Sequence, residues 1–258
     1  MSGDILSLED VTVCHGRTPA VHHLNAALRC GTLVALMGPN GAGKSTLLRA
    51  ILGWQPLATG RITIAGAPIA RARSRIGYLP QRSLVDWDFP VSVREVVEMG
   101  RFPRRGAFAA FGRADAQAVD DALAEMGLSG LQQRHIAALS GGQQQRTLLA
   151  RALSSGADIV LLDEPFVGLD AVSTSDLVAR LQAWAAQGRL VIAAMHDVDL
   201  ARRHFQQALL IRTHLIASGP VAVALSERHL AEAYGPAYHP DPAPSAAVAR
   251  LQGEGVGR

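Results

Sequence analysis

A short apolar run at residues 32–37 passes straight into Gly38-Pro39-Asn40-Gly41-Ala42-Gly43-Lys44-Ser45-Thr46, and helical patterning begins at once over residues 45–52. Few arrangements suit such a segment. The glycines give the backbone freedom to reverse, and the start of a helix leaves N–H groups without partners, facing out of the turn. The spacing G-x-x-x-x-G-K-[ST] between a strand and a helix is that of a phosphate-binding loop, in which curled N–H groups and the positive end of the helix dipole receive phosphates. In this reading Lys44 bridges the β- and γ-phosphates of a nucleotide and Ser45 ligates Mg²⁺.

Composition singles out the same lysine. Every basic residue of the chain except Lys44 is arginine. A flexible stem ending in a compact ammonium reaches between phosphates where a planar guanidinium fits badly, so the one lysine marks a position arginine does not fill.

The patterning around the loop predicts one α/β domain with an insertion. Residues 5–13 alternate apolar and polar side chains like a half-buried strand, and strand-like runs follow at 61–64 and 75–79. Residues 159–162 and 190–194 are apolar runs bounded by turn signals and separated by helical patterning at 173–186, the sign of a buried parallel sheet. Between about residues 91 and 155 the pattern is mainly helical and reads as an inserted lobe. The domain is expected to span residues 1–225, with a short helix and a loosely held, proline-rich and glycine-rich tail over 226–258.

Two further segments carry chemistry. The run at 159–162 ends in Asp163 and Glu164, whose side chains strand alternation would aim in different directions. Asp163 is then free to complete a magnesium shell, and Glu164 to orient and deprotonate an attacking water. Leu139-Ser140-Gly141-Gly142-Gln143 opens another helix and offers a second set of backbone donors with a serine hydroxyl. One phosphate loop and a distant second anion surface in the same chain suggest two copies meeting head to tail.

With those three motifs in that order, the chain resembles the ABC transporter ATPase family over about residues 5–220. The resemblance implies a P-loop NTPase (RecA-like) core with an N-terminal antiparallel β region and an inserted α-helical subdomain. It implies ATP and Mg²⁺ as cofactors, and a homodimer in which Ser140, Gly141, Gly142, Gln143 and Asp170 of one copy face the nucleotide of the other. It makes Gln81 the glutamine that touches Mg²⁺ and senses the γ-phosphate, and His196 the switch histidine, both catalytic beside Glu164. Where the family usually stacks an aromatic on adenine, this chain has His15, so weaker adenine recognition is expected.

The segments at 85–93, 97–101 and 166–170 resemble the manganese and zinc importer branch of that family. That implies membrane permease subunits docking near Trp87 and Phe89, and an extracytoplasmic metal-binding protein as an indirect partner. The ATPase of an iron-siderophore or haem importer is the alternative, and a soluble ABC ATPase acting on DNA or ribosomes a more distant one, since that class typically needs a coiled-coil insertion or two ATPase domains in one chain.

No stretch approaches the roughly 18 to 20 apolar residues of a membrane helix, and the N-terminal residues carry acids where a signal peptide carries bases. The expected place is the cytoplasmic face of the cell membrane. A net charge of +3 spread along the chain gives no footprint for nucleic acid. Cys14 and Cys30 lack ligand or disulfide spacing, and the nine histidines form no metal cluster in sequence.

Overall fold

The computed structural model describes residues 4–105 and 110–235. Its centre is a six-stranded sheet in the order His214–Pro220, Gln207–Arg212, Leu33–Met37, Leu190–Ala194, Ile159–Asp163, Ile76–Leu79. All neighbours are parallel except the pair Gln207–Arg212 and His214–Pro220. The strands Leu33–Met37, Leu190–Ala194 and Ile159–Asp163 are buried at every position, which explains why they read as unbroken apolar runs.

The period of two along these strands divides the core. Leu33, Ala35, Met37, Val160 and Leu162 face a cluster shared with the helical lobe and the helix Ala171–Ala186. Val34, Leu36, Ile159 and Leu161 face a second cluster built with the helix Lys44–Ile51 and an antiparallel sheet. That sheet has the order Thr18–Arg29, Asp4–His15, Thr59–Ile64, Ala67–Pro68.

The strand Thr18–Arg29 is absent from the sequence reading, and so are Gln207–Arg212 and His214–Pro220. Register shifts interrupt the pairing of Asp4–His15 with Thr18–Arg29 at several points. Bulges of that kind break the strict alternation by which a strand is recognised in sequence.

The lobe contains the helices Val93–Glu98, Arg113–Glu125 and Gly141–Ser154. It is inserted between Ile76–Leu79 and Ile159–Asp163, which are themselves paired in the sheet from Ile76↔Ile159 to Leu79↔Leu162. The helix Gly141–Ser154 lies so close to its neighbours that a Cβ at Gly77 would sit 2.7 Å from the carbonyl oxygen of Ala152, and one at Gly100 2.1 Å from that of Arg151. A short helix, Glu227–Tyr234, follows the last strand and buries Leu230 and Ala233 in the core; the tail expected beyond it lies outside the described residues. Among the described residues no helix is long and apolar enough to cross a membrane, and Cys14 and Cys30 are free thiols.

Candidate active site

Because Leu190–Ala194 lies between Leu33–Met37 and Ile159–Asp163, the carboxyl ends of three adjacent strands bring Gly38, His196 and Glu164 to one edge of the sheet. Ligands of open α/β sheets bind in the crevice at such ends.

The phosphate loop needs its glycines. Gly38 and Gly43 have φ of 151° and 96°, and a Cβ there would lie 2.2 Å from the carbonyl oxygen of Ile211 and 2.3 Å from that of Ala20. Lys44 starts the helix Lys44–Ile51, and its Nζ donates to the carbonyl oxygens of Gly38 at 2.6 Å and Pro39 at 3.0 Å, bracing the turn. Burial pushes its pKa down, and the charges of Glu164 and Asp163 act against that. Lys44, Ser45, Thr46, Asn40, Gly41, Ala42, Gly43, His15 and Glu164 line one cavity of about 250 Å³.

Asp163, only 1% exposed, accepts from Ser45 Oγ at 3.0 Å on one carboxylate oxygen. The other oxygen, Oδ2, is buried without a hydrogen-bond partner. Burial raises the pKa of this carboxyl, offset in part by the Ser45 hydroxyl. An orphaned buried acceptor costs ~1 to 3 kcal/mol, and a carboxylate beside a hydroxyl is the hard oxygen donor set that Mg²⁺ and Ca²⁺ prefer.

Simple alternation fails at Glu164. The chain leaves the strand after Asp163, and Glu164 takes a φ of 54°, a left-handed conformation uncommon for a residue with a side chain. Its N–H donates to the carbonyl of Ala194, which fixes the turn to the neighbouring strand. Its carboxylate accepts from Gln81 Nε2 at 2.7 Å, so the structure joins two of the residues expected to be catalytic. The third, His196, is exposed and lines a separate cleft of about 310 Å³ that also reaches Glu164.

His15 lies at the rim of the phosphate-loop cavity, with Nε2 3.1 Å from Thr46 Oγ1. His15→Tyr is expected to lower the dissociation constant for ATP by a few-fold, a fraction of the ~1 to 3 kcal/mol that base stacking supplies. Nucleotide titration checks this, and an unchanged constant would leave His15 only the role of holding Thr46.

Ser140 caps the helix Gly141–Ser154: its hydroxyl accepts from the Gln143 N–H, and the Gln143 side chain accepts from its own. Ser140 and Gly142 face solvent, and none of Ser140, Gly141, Gly142 and Gln143 lines the cavities that hold Lys44 and Glu164. Asp170, also exposed, caps the helix Ala171–Ala186 by accepting from the Ser173 N–H, a bond that lowers its pKa. The fold therefore gathers Lys44, Ser45, Asp163, Gln81 and Glu164 at one end of the sheet and leaves Ser140 and Gly142 facing outward elsewhere.

Trp87 and Phe89 also part company. Trp87 is half-buried against the core, its indole N–H donating to the carbonyl of Arg82, whereas Phe89 is 53% exposed. Of this pair, only Phe89 is left as an open surface. Sequence reading missed Arg82 and Gln144, which bond at 2.9 Å; the only signal was their position directly after Gln81 and Gln143.

Comparison with known proteins agrees with this geometry. The profile of the family described as "ABC transporter" matches residues 21–167. The chain is 39% identical over 230 residues to the zinc transport system ATP-binding protein TroB of Treponema pallidum, covering 89% of this chain and 86% of that one. It is 41% identical over 230 residues to the manganese transport system ATP-binding protein MntB of Bacillus subtilis, covering 89% and 92%. Among solved structures, an ABC transporter in an inward-facing conformation superposes with a TM-score of 0.78 at 29% identity, covering 90% of this chain and 89% of that chain.

Proposed function

Given that this chain belongs to the ABC transporter family as one of its ATP-binding, ATP-hydrolysing subunits, we propose that it energises uptake of a divalent metal ion, manganese or zinc, across the cytoplasmic membrane. The observation that carries the enzymatic part is the single cavity where Lys44, Ser45 and Glu164 meet, with Gln81 bonded to Glu164 and Asp163 to Ser45. The metal is supported by the kinship with TroB and MntB.

In this mechanism the N–H groups of the loop from Gly38 to Thr46 receive the phosphates, and Lys44 exchanges its carbonyl partners for the β- and γ-phosphates. Ser45 and Asp163, whose Oδ2 has no hydrogen-bond partner, would hold Mg²⁺ together with Gln81, which here donates to Glu164. The chemistry such an ion would supply is neutralisation of charge on the phosphates. Glu164 accepts the proton of the attacking water, and His196 lines the cleft on its far side.

The outward-facing Ser140, Gly141, Gly142, Gln143 and Asp170 meet the nucleotide of a second copy in a homodimer. Polytopic permease subunits dock near Trp87 and Phe89, on the cytoplasmic face, with Phe89 the more exposed of the two, and an extracytoplasmic metal-binding protein delivers the ion to them.

Tagged protein purified from its native membranes in detergent is expected to bring down a polytopic membrane protein, and vesicles holding both to take up manganese or zinc only with ATP. Recovery with ribosomes or DNA would overturn the transport reading. Uptake of an iron chelate in place of either metal would move the chain to the neighbouring branch.

A further inference from the structure

We propose that Arg82 is a positioning residue that couples the two nucleotide sites of the dimer, an inference that rests on the dimeric ATPase reading above. Gln81 and Arg82 are consecutive and face different machinery. The Gln81 amide holds Glu164 at 2.7 Å, in the chain's own site. The Arg82 guanidinium turns to the start of the helix Gly141–Ser154, where Nη2 donates to Gln144 Oε1 at 2.9 Å. It lies against Gly141 so closely that a Cβ there would be 2.7 Å from Nη1.

Gln144 is an anchor. It is 7% exposed, and its Nε2 donates to the carbonyl of Ile136 at 3.2 Å, so its side chain moves with the lobe. On its other side Arg82 is held by Trp87, whose indole N–H donates to its carbonyl at 3.3 Å and whose ring centroid is 5.9 Å from Cζ. The strand leading to this segment, Ile76–Leu79, is at the sheet edge with one strand neighbour, so the segment is free to follow the lobe.

A shift of the Ser140–Gly142 turn on meeting the other copy's nucleotide is thus carried through Gln144 and Arg82 to Gln81 and Glu164. Arg82 itself lines neither the phosphate-loop cavity nor the cleft of His196, so it acts through these residues rather than on the nucleotide.

The test is the steady-state rate of ATP hydrolysis by the full chain as a function of ATP concentration. The unsubstituted chain is expected to show a Hill coefficient above 1, bounded by the two sites of the dimer. Arg82→Ala should bring it to about 1 while the dissociation constant for ATP, titrated in a Glu164→Gln background, stays within about twofold. Gln144→Ala should do the same and the double variant no more, as expected of residues in one network. A purely structural role would lower the melting temperature and kcat and leave the Hill coefficient where it was. An unchanged coefficient in Arg82→Ala, or a coefficient of about 1 in the unsubstituted chain, would overturn the inference. Should Arg82→Ala fail to fold, Arg82→Lys, which keeps the charge and loses the planar fork, is read with the same outcomes. Absence of hydrolysis in the unsubstituted chain would instead strike the ATPase reading.

Discussion

Glu164→Gln is expected to bind ATP as tightly as the unsubstituted chain and to hydrolyse it ~10²-fold or more slowly, the usual contribution of a positioned general base. The amide keeps the size of the side chain and an oxygen able to accept from Gln81 Nε2. The left-handed turn at residue 164 is set by the backbone bond to Ala194 and does not depend on the carboxylate. What the variant lacks is a lone pair basic enough to take a proton from water. Nucleotide titration beside a phosphate-release assay separates the two effects, and normal turnover would remove Glu164 from its role.

Lys44→Ala is expected to fail one step earlier, weakening ATP binding by ~10²-fold or more. The loss of two charge-assisted phosphate contacts, each worth ~1.5 to 3 kcal/mol, sets the scale. The ammonium braces the carbonyls of Gly38 and Pro39, and because burial pushes its pKa down while Glu164 and Asp163 act against that, an arriving anion adds a further charge that favours the protonated form. Lys44→Arg should not rescue binding, because the guanidinium cannot enter the same narrow turn. If the Lys44 and Glu164 variants fell equally in binding and in turnover, the division between a binding lysine and a chemical carboxylate would be wrong.

What was legible in the sequence was whatever depends on local spacing. The loop from Gly38 to Ser45, the acids after the buried strand and the serine opening the Gly141–Ser154 helix are each specified by neighbouring residues. The central strands announced themselves because both of their faces are buried.

Features made by partners far apart in the chain were not legible. The bond between Gln81 and Glu164 spans 83 positions and that between Arg82 and Gln144 spans 62, and no local pattern encodes either. Trp87 and Phe89 look alike as letters, and only the tertiary surroundings turn one inward. At Glu164 the alternation rule failed because the strand ends one residue earlier, and a left-handed residue lies outside that rule.

The placement of the lobe has a consequence for how the chain assembles. The edge strand Ile76–Leu79 and its partner Ile159–Asp163 are separated in sequence by the whole of residues 80–158. Joining them from an unfolded chain means closing a long loop before any contact repays the lost entropy, and such non-local pairings slow folding. Helices form locally and in microseconds. A lobe that collapses first shortens the effective loop to the distance between its own two ends, so the edge strand should dock last. The segment that carries Gln81 into the site would then be among the last to gain protection from hydrogen exchange during refolding, and among the first to lose it.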